Sequence, residues 1–234
     1  MDKLNPLLDQ LHSLANPEKL SGMAHFGINT TGRLGIPMPE LRRIAKSGGV
    51  DHSLALQLWA SAIPEARLLA AMVADPLTIT PAQMDAWVAD FNSWEMCDTA
   101  CCSLFDRSPY AWEKVAQWAA VEAEYTRRAA YSLLAGLAWH NKHAADEIFI
   151  AAFPIILSNV TDPRNFVKKA VNWAIRNIGK RNLVLNAAAI ELSERILTVD
   201  DKTARWIARD ALRELTGDKV LVRLQKKVEK QTNI

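Results

Sequence analysis

Glycine is scarce, with 9 in 234 residues, about half the ordinary usage of roughly 7 %. Stretches of Val, Thr and Tyr alternating with polar residues are also missing, so no segment predicts a sheet strand. The chain is instead rich in Ala, Leu, Glu, Lys and Arg, which favours helix throughout. The longest apolar run, Ile148 to Leu157, is broken by Pro154 and falls well short of the roughly 20 residues a membrane span needs. At the start, MDKLNPLLDQLHSL is interrupted by Asp2, Lys3 and Asp9 and lacks the apolar core of a secretion signal. A soluble, cytoplasmic protein that makes no use of a membrane is expected.

Cysteine is limited to Cys97, Cys101 and Cys102, an odd and clustered set with no CxxC pair and no histidine at metal spacing. Disulfides and a zinc site are poor fits to that pattern, and buried, reduced thiols are a good one. No metal or cofactor is suggested. The length suits a single elongated domain covering residues 1–234.

Net charge is only +2, yet it is unevenly placed. Arg164, Lys168, Lys169, Arg176, Lys180 and Arg181 follow one another with no acid between them, and these six positive charges leave −4 for the rest of the chain. A basic patch in a mildly acidic protein points to a polyanion partner. The plain alternative is a solvated charged face.

Three segments align at spacings of 41 and 40 residues: YTRRAAYSLL from Tyr125, FVKKAVNWAI from Phe166 and WIARDALREL from Trp206. Tyr125, Phe166 and Trp206 coincide, as do Arg128, Lys169 and Arg209. A period near 40 with paired helices predicts an all-α, HEAT-like or armadillo-type solenoid, an α-α superhelix. Stacked repeats place equivalent positions in columns, so Arg128, Lys169 and Arg209 would form a ladder of positive charge suited to a phosphate backbone. Breaks at Gly48 and Gly49, Asp75 and Pro76, Ser108 and Pro109, Asp162 and Pro163, and Gly217 divide the rest into helical hairpins.

Within Asn165 to Ile178, Val167, Val171, Ala174 and Ile178 make one apolar stripe at spacings of 4, 3 and 4. Lys169, Trp173, Arg176 and Lys180 repeat those spacings about 200° away. Trp173 therefore points off the core among cations, where nucleic acid is a natural cover. The competing reading packs it on a neighbouring repeat. A second helix, Ser93 to Phe105, begins with Asn92 and Glu95 in a pattern like a capping box. It sets Trp94 and Asp98 one turn apart on a face that continues through Cys101, Cys102 and Phe105. A partly solvated Asp98 needs a cationic or hydrogen-bonding partner. That partner is either a positive charge developing in a reaction or an Arg that locks two helices together.

The motifs SWEMCD, RRAAYSLL and FVKKAVNWAIRNIGKRN, with LGIPMPELRRIAK near the start, resemble the HEAT-like DNA alkylation-repair glycosylases of the AlkD type, over most of the chain. In that family a Trp and an Asp four residues apart, an Arg on a following helix and a second Trp on the basic helix surround the lesion. The resemblance puts Trp94, Asp98, Arg128 and Trp173 in those roles, with repeat register and the RAA motif favouring Arg128 over its neighbour Arg127. It implies hydrolysis of the N-glycosidic bond of cationic N3- or N7-alkylated purines in duplex DNA, without base flipping, on an open concave face. Asp98 would stabilise the sugar cation and position water, the two Trp would bracket the deoxyribose, and Arg128 would hold a phosphate. Arg127, Lys168, Lys169, Arg176, Lys180, Arg181 and Arg209 would contact DNA. The resemblance further implies a monomer in base excision repair, nucleoid-associated when acting. A different class also fits: a HEAT-repeat module that grips structured DNA or a protein without chemistry, which would have no need of Asp98.

Overall fold

Helix is the regular structure found among the described residues, 3–232 of the computed structural model, and no strand occurs among them. Side chains are described for residues 3–230, so Asp2 lies outside the described residues. No helix is long and apolar enough to cross a membrane. The chain divides into two compact units, Met1–Ala111 and Trp112–Ile234.

The first unit holds α1 (Leu4–Ser13), α2 (Leu20–His25), α3 (Met38–Gly48), α4 (His52–Ala60), α5 (Pro64–Val73), α6 (Pro81–Ala89) and α7 (Trp94–Ser103). Local chemistry explains where several of them begin. Asp51 accepts from the Leu54 amide at α4, and Thr80 and Gln83 form a complete capping box at α6. Pro64 and Pro81 occupy first turns, where a missing N–H is harmless. Each side-chain cap contributes about 1 kcal/mol. Around α5, Leu68, Leu69, Ala70 and Ala71 are buried, and Trp59 stacks on Trp87 with ring centroids 4.0 Å apart. The loop before α3 is held from within: the fully buried Glu65 carboxylate accepts from the Leu34 and Gly35 amides at 3.1 and 2.9 Å. Gly35, at φ +79°, lies so close to Asn16 that a Cβ there would stand 2.1 Å from its carbonyl oxygen. Only glycine fits.

The second unit follows with α8 (Ala111–Ala119), which starts at the boundary, then α9 (Glu124–His140), α10 (Asp146–Ala151), α11 (Phe153–Leu157), α12 (Asn165–Gly179), α13 (Leu183–Leu197), α14 (Lys202–Leu215) and α15 (Asp218–Thr232). Here the repeat read from the sequence becomes geometry. Tyr125 of α9 stacks on Phe166 of α12 with centroids 5.8 Å apart, and the Asn177 amide near the end of α12 donates to the Ala135 carbonyl of α9. Asn172 donates in the same way to Ile207 of α14. Starts meet starts and ends meet ends, so α9, α12 and α14 run parallel, side by side. Gly179 allows α12 and α14 to close up, since a Cβ there would come within 2.7 Å of the Leu215 side chain.

On α12 the predicted stripe is the buried one: Val167, Val171, Ala174 and Ile178 are all at 0 % exposure. Full burial of a Val or Ile side chain contributes about 1.5–3 kcal/mol. Together these side chains fix the rotation of the helix and leave Trp173 half-buried, off the core line.

Candidate nucleic-acid interface

Helix α7 presents Trp94 and Asp98 one turn apart, both half-buried. Its cap differs from the sequence expectation. Ser93 rather than Asn92 caps the helix, accepting from the Met96 amide, while Glu95 turns to the buried Arg33 guanidinium at 2.7 Å. With Ser93 as the cap, the position that would complete a capping box falls on Met96, and Glu95 is out of register for it. Burial pushes its carboxyl above the ordinary value, and the charge of Arg33 offsets part of that rise. Trp94 is anchored by its indole N–H, which donates to the Phe26 carbonyl at 3.0 Å. One face of the helix thus holds an oriented indole and a half-buried carboxylate. Below them Cys97 and Cys101 are buried, and burial raises the Cys101 thiol well above its ordinary value, so it stays a protonated packing group. Among the described residues no group of three or more His, Cys, Asp or Glu side chains gathers into a metal site.

The basic residues of the second unit divide into two groups. Arg127 and Arg164 close on Asp162 at 2.9 and 2.5 Å. Burial would raise the Asp162 carboxyl, but hydrogen bonds from Arg164 and Arg127 outweigh it and bring it down to about 2. Arg176 and Lys180 meet Glu214 at 2.5 and 2.6 Å. Arg181 donates to the carbonyls of Ala138, Asn141 and Ala144 and lies over the Phe149 ring. The run without acids in sequence is therefore partly neutralised in space, by carboxylates from outside the run.

Lys169 and Arg209 remain exposed, with no ion pair among the described residues. Lys168 sits over the face of Trp206 at 5.1 Å. The ladder expected from the repeat is a pair of rungs, because Arg128 turns inward. At 6 % exposure, Arg128 donates to the Phe166 carbonyl at 2.6 Å and ties the starts of α9 and α12 together. Tyr125, Phe166 and Trp206, aligned in sequence, differ in setting: the first two stack on each other, whereas Trp206 is 40 % exposed.

Sequence reasoning missed a second basic cluster, in which α15 supplies Arg223 and Lys227 to a cavity shared with Lys142, Lys180 and Arg181. A signal existed, since VLVRLQKKVEK is markedly basic. Of the four residues placed around a lesion by motif, Trp94 and Asp98 belong to the first unit and share a helix. Arg128 and Trp173 belong to the second.

Parallel helices repeating at about 40 residues, with exposed cations on matching positions, define a HEAT-like helical-repeat protein. The family described as DNA alkylation repair enzyme matches residues 7–215, and the chain belongs to it. A solved structure described as "a new family of proteins related to the HEAT-like repeat DNA glycosylases with affinity for branched DNA structures" superposes with a TM-score of 0.74 at 17 % identity, covering 92 % of this chain and 96 % of that one. At that identity the likeness is one of fold. No curated protein matches the chain.

Proposed function

We propose that the chain is a DNA glycosylase that releases cationic N3- or N7-alkylated purines from duplex DNA without flipping them out. The observation that carries this reading is Asp98 on α7, a half-buried carboxylate one turn from an anchored indole, in a chain of the alkylation-repair family. Such a base is already a good leaving group, because the C1′–N bond can break with its electron pair passing to the positively charged ring. No strong general acid is required. The deoxyribose is left electron-poor, and the Asp98 carboxylate stabilises that charge and orients the water that adds to C1′, whose proton passes to solvent. Trp94 adds the attraction of an aromatic face for a cation.

In the second unit, Lys169 and Arg209 take the phosphates and Trp173 covers sugar or base. Arg128 acts as a positioning residue, holding the start of the helix that bears Lys169 and Trp173. Lys168, Arg127, Arg176, Lys180 and Arg181 shape that surface through their internal partners. The protein works as a monomer, in one domain, with no cofactor.

A reading without chemistry has its own support in the structural neighbour, a protein described by affinity for branched DNA. Duplex DNA containing N7-methylguanine separates the two. Free base appearing over the spontaneous background supports the glycosylase, and tight binding with no base released makes the chain a DNA-binding module.

A further inference from the structure

A cavity of about 530 Å³ opens between the ends of α9 and α12 and the middle of α15, lined by Lys142, Lys180, Arg181, Arg223 and Lys227, with Trp139 beside them and no acidic side chain in its wall among the described residues. Part of this positive charge has a structural purpose. Arg181 satisfies carbonyls in the last turn of α9 and just beyond it, and the Lys227 ammonium donates to the Lys180 and Arg181 carbonyls at the end of α12, where cations are favoured in any helix. Lys180 is shared with Glu214.

Those needs leave Lys142 and Arg223 over. Both are exposed, and neither makes a side-chain hydrogen bond or ion pair among the described residues. Burial, together with the like charges of Arg181 and Arg223, holds the Lys142 ammonium below the ordinary lysine value, and Lys227 is lowered in the same way. Among the described residues, Glu214 on Lys180 is the one carboxylate that forms an ion pair with the cluster. Trp139 adds a second observation, because its indole is 60 % exposed at the mouth of the same cavity. An indole in water among unpaired cations is a surface that lacks its cover. Phosphate and an aromatic base supply both complements at once. Bases inside a duplex are already stacked and paired, so the base that lies on Trp139 is one outside the helix.

We propose that this cavity binds an unpaired nucleotide of DNA, its phosphates held by Lys142, Arg223 and Lys227 and its base stacked on Trp139. The assignment rests on the DNA-binding part of the proposed function and is independent of the hydrolysis, since no lesion is involved.

The test measures fluorescence anisotropy of a labelled undamaged duplex, blunt or extended by a short single-stranded tail, on the full chain. The native protein is expected to favour the tailed duplex about tenfold, the magnitude of one base–aromatic stack. Trp139→Ala is expected to abolish most of that preference while leaving blunt-duplex affinity within about twofold, and Lys142→Glu to abolish it as well. Both side chains are exposed, and unchanged melting would show that each variant folds. Equal affinity of the native protein for the two duplexes overturns the assignment, as does a preference that survives in both variants. A tail preference lost with Lys142→Glu but kept with Trp139→Ala makes the cavity a phosphate site only and overturns the nucleotide assignment. If base release fails while the tail preference stands, only the glycosylase reading falls.

Discussion

The two units of this chain solve the same problem, the burial of helix faces, by different means. In the second, a motif recurring every 40 or 41 residues places equivalent side chains against each other, so that Tyr125 meets Phe166 and Asn172 and Asn177 bind carbonyls of the adjacent repeats. The first relies on particular buried charges. Glu65 pins the loop before α3, and Arg33 crosses to Glu95 beside the candidate catalytic face. A repeat uses similar contacts again and again, whereas the first unit adds to its apolar core around α5 buried charged contacts that each occur once.

The sharpest way to break the comparison is to remove one such charge. Glu65→Ala is expected to lower unfolding free energy by about 3–5 kcal/mol, because the buried Gly35 amide and the part-buried Leu34 amide lose their acceptor and the replacement offers none. Urea denaturation would show a lower midpoint with an unchanged slope, and a loss under about 1 kcal/mol would mean that the loop does not depend on it. The counterpart in the second unit, Asp162→Asn, is expected to cost less, about 2–3 kcal/mol, since Arg127 and Arg164 are partly solvated and keep other acceptors. Its effect also depends on pH in a definite sense. The folded carboxyl, at about 2, lies below its ordinary 3.8. Its stabilisation is therefore complete above about pH 4 and disappears as pH falls toward about 2. The gap between native protein and Asp162→Asn should close over that interval, and a gap independent of pH would exclude the ion pairs as its source.

Smaller effects sharpen the division between core and surface on α12. Trp173→Ala is expected to reduce stability by only about 1–1.5 kcal/mol, because the indole is half-buried off the apolar stripe. A loss above about 3 kcal/mol, usual for a buried aromatic, would place it in the core. Lys169→Ala and Arg209→Ala should each leave stability within about 0.5 kcal/mol and flatten the salt dependence of DNA binding by about one unit of slope. An unchanged slope in both would remove these residues from the interface.

What could be read from the sequence follows the same division. The repeat register and the stripe of α12 were readable because periodicity is a local property that packing then obeys. The cap of α7 was misplaced by one residue: Asn92 and Glu95 match the pattern, but the neighbouring Ser93 caps the helix, and Glu95, one position out of register, meets Arg33 from some sixty residues earlier. The basic run was overstated because it was counted from Arg164, two residues past Asp162, and because a count along the chain does not see Glu214 brought onto it by folding. The Arg128 rung was lost for a similar reason, since stacking α12 beside α9 brings the Phe166 carbonyl within its reach. The cavity around Lys142 and Arg223 went unseen because three separate segments build it.

Asp98 is where the account meets chemistry. Base release from N7-methylguanine duplex, followed in single turnover with native protein and with Asp98→Asn, is expected to slow by about 100-fold or more in the variant, the usual effect of removing one electrostatic stabiliser of a transition state, while affinity for the same DNA stays within about twofold. Equal rates for the two proteins would contradict it.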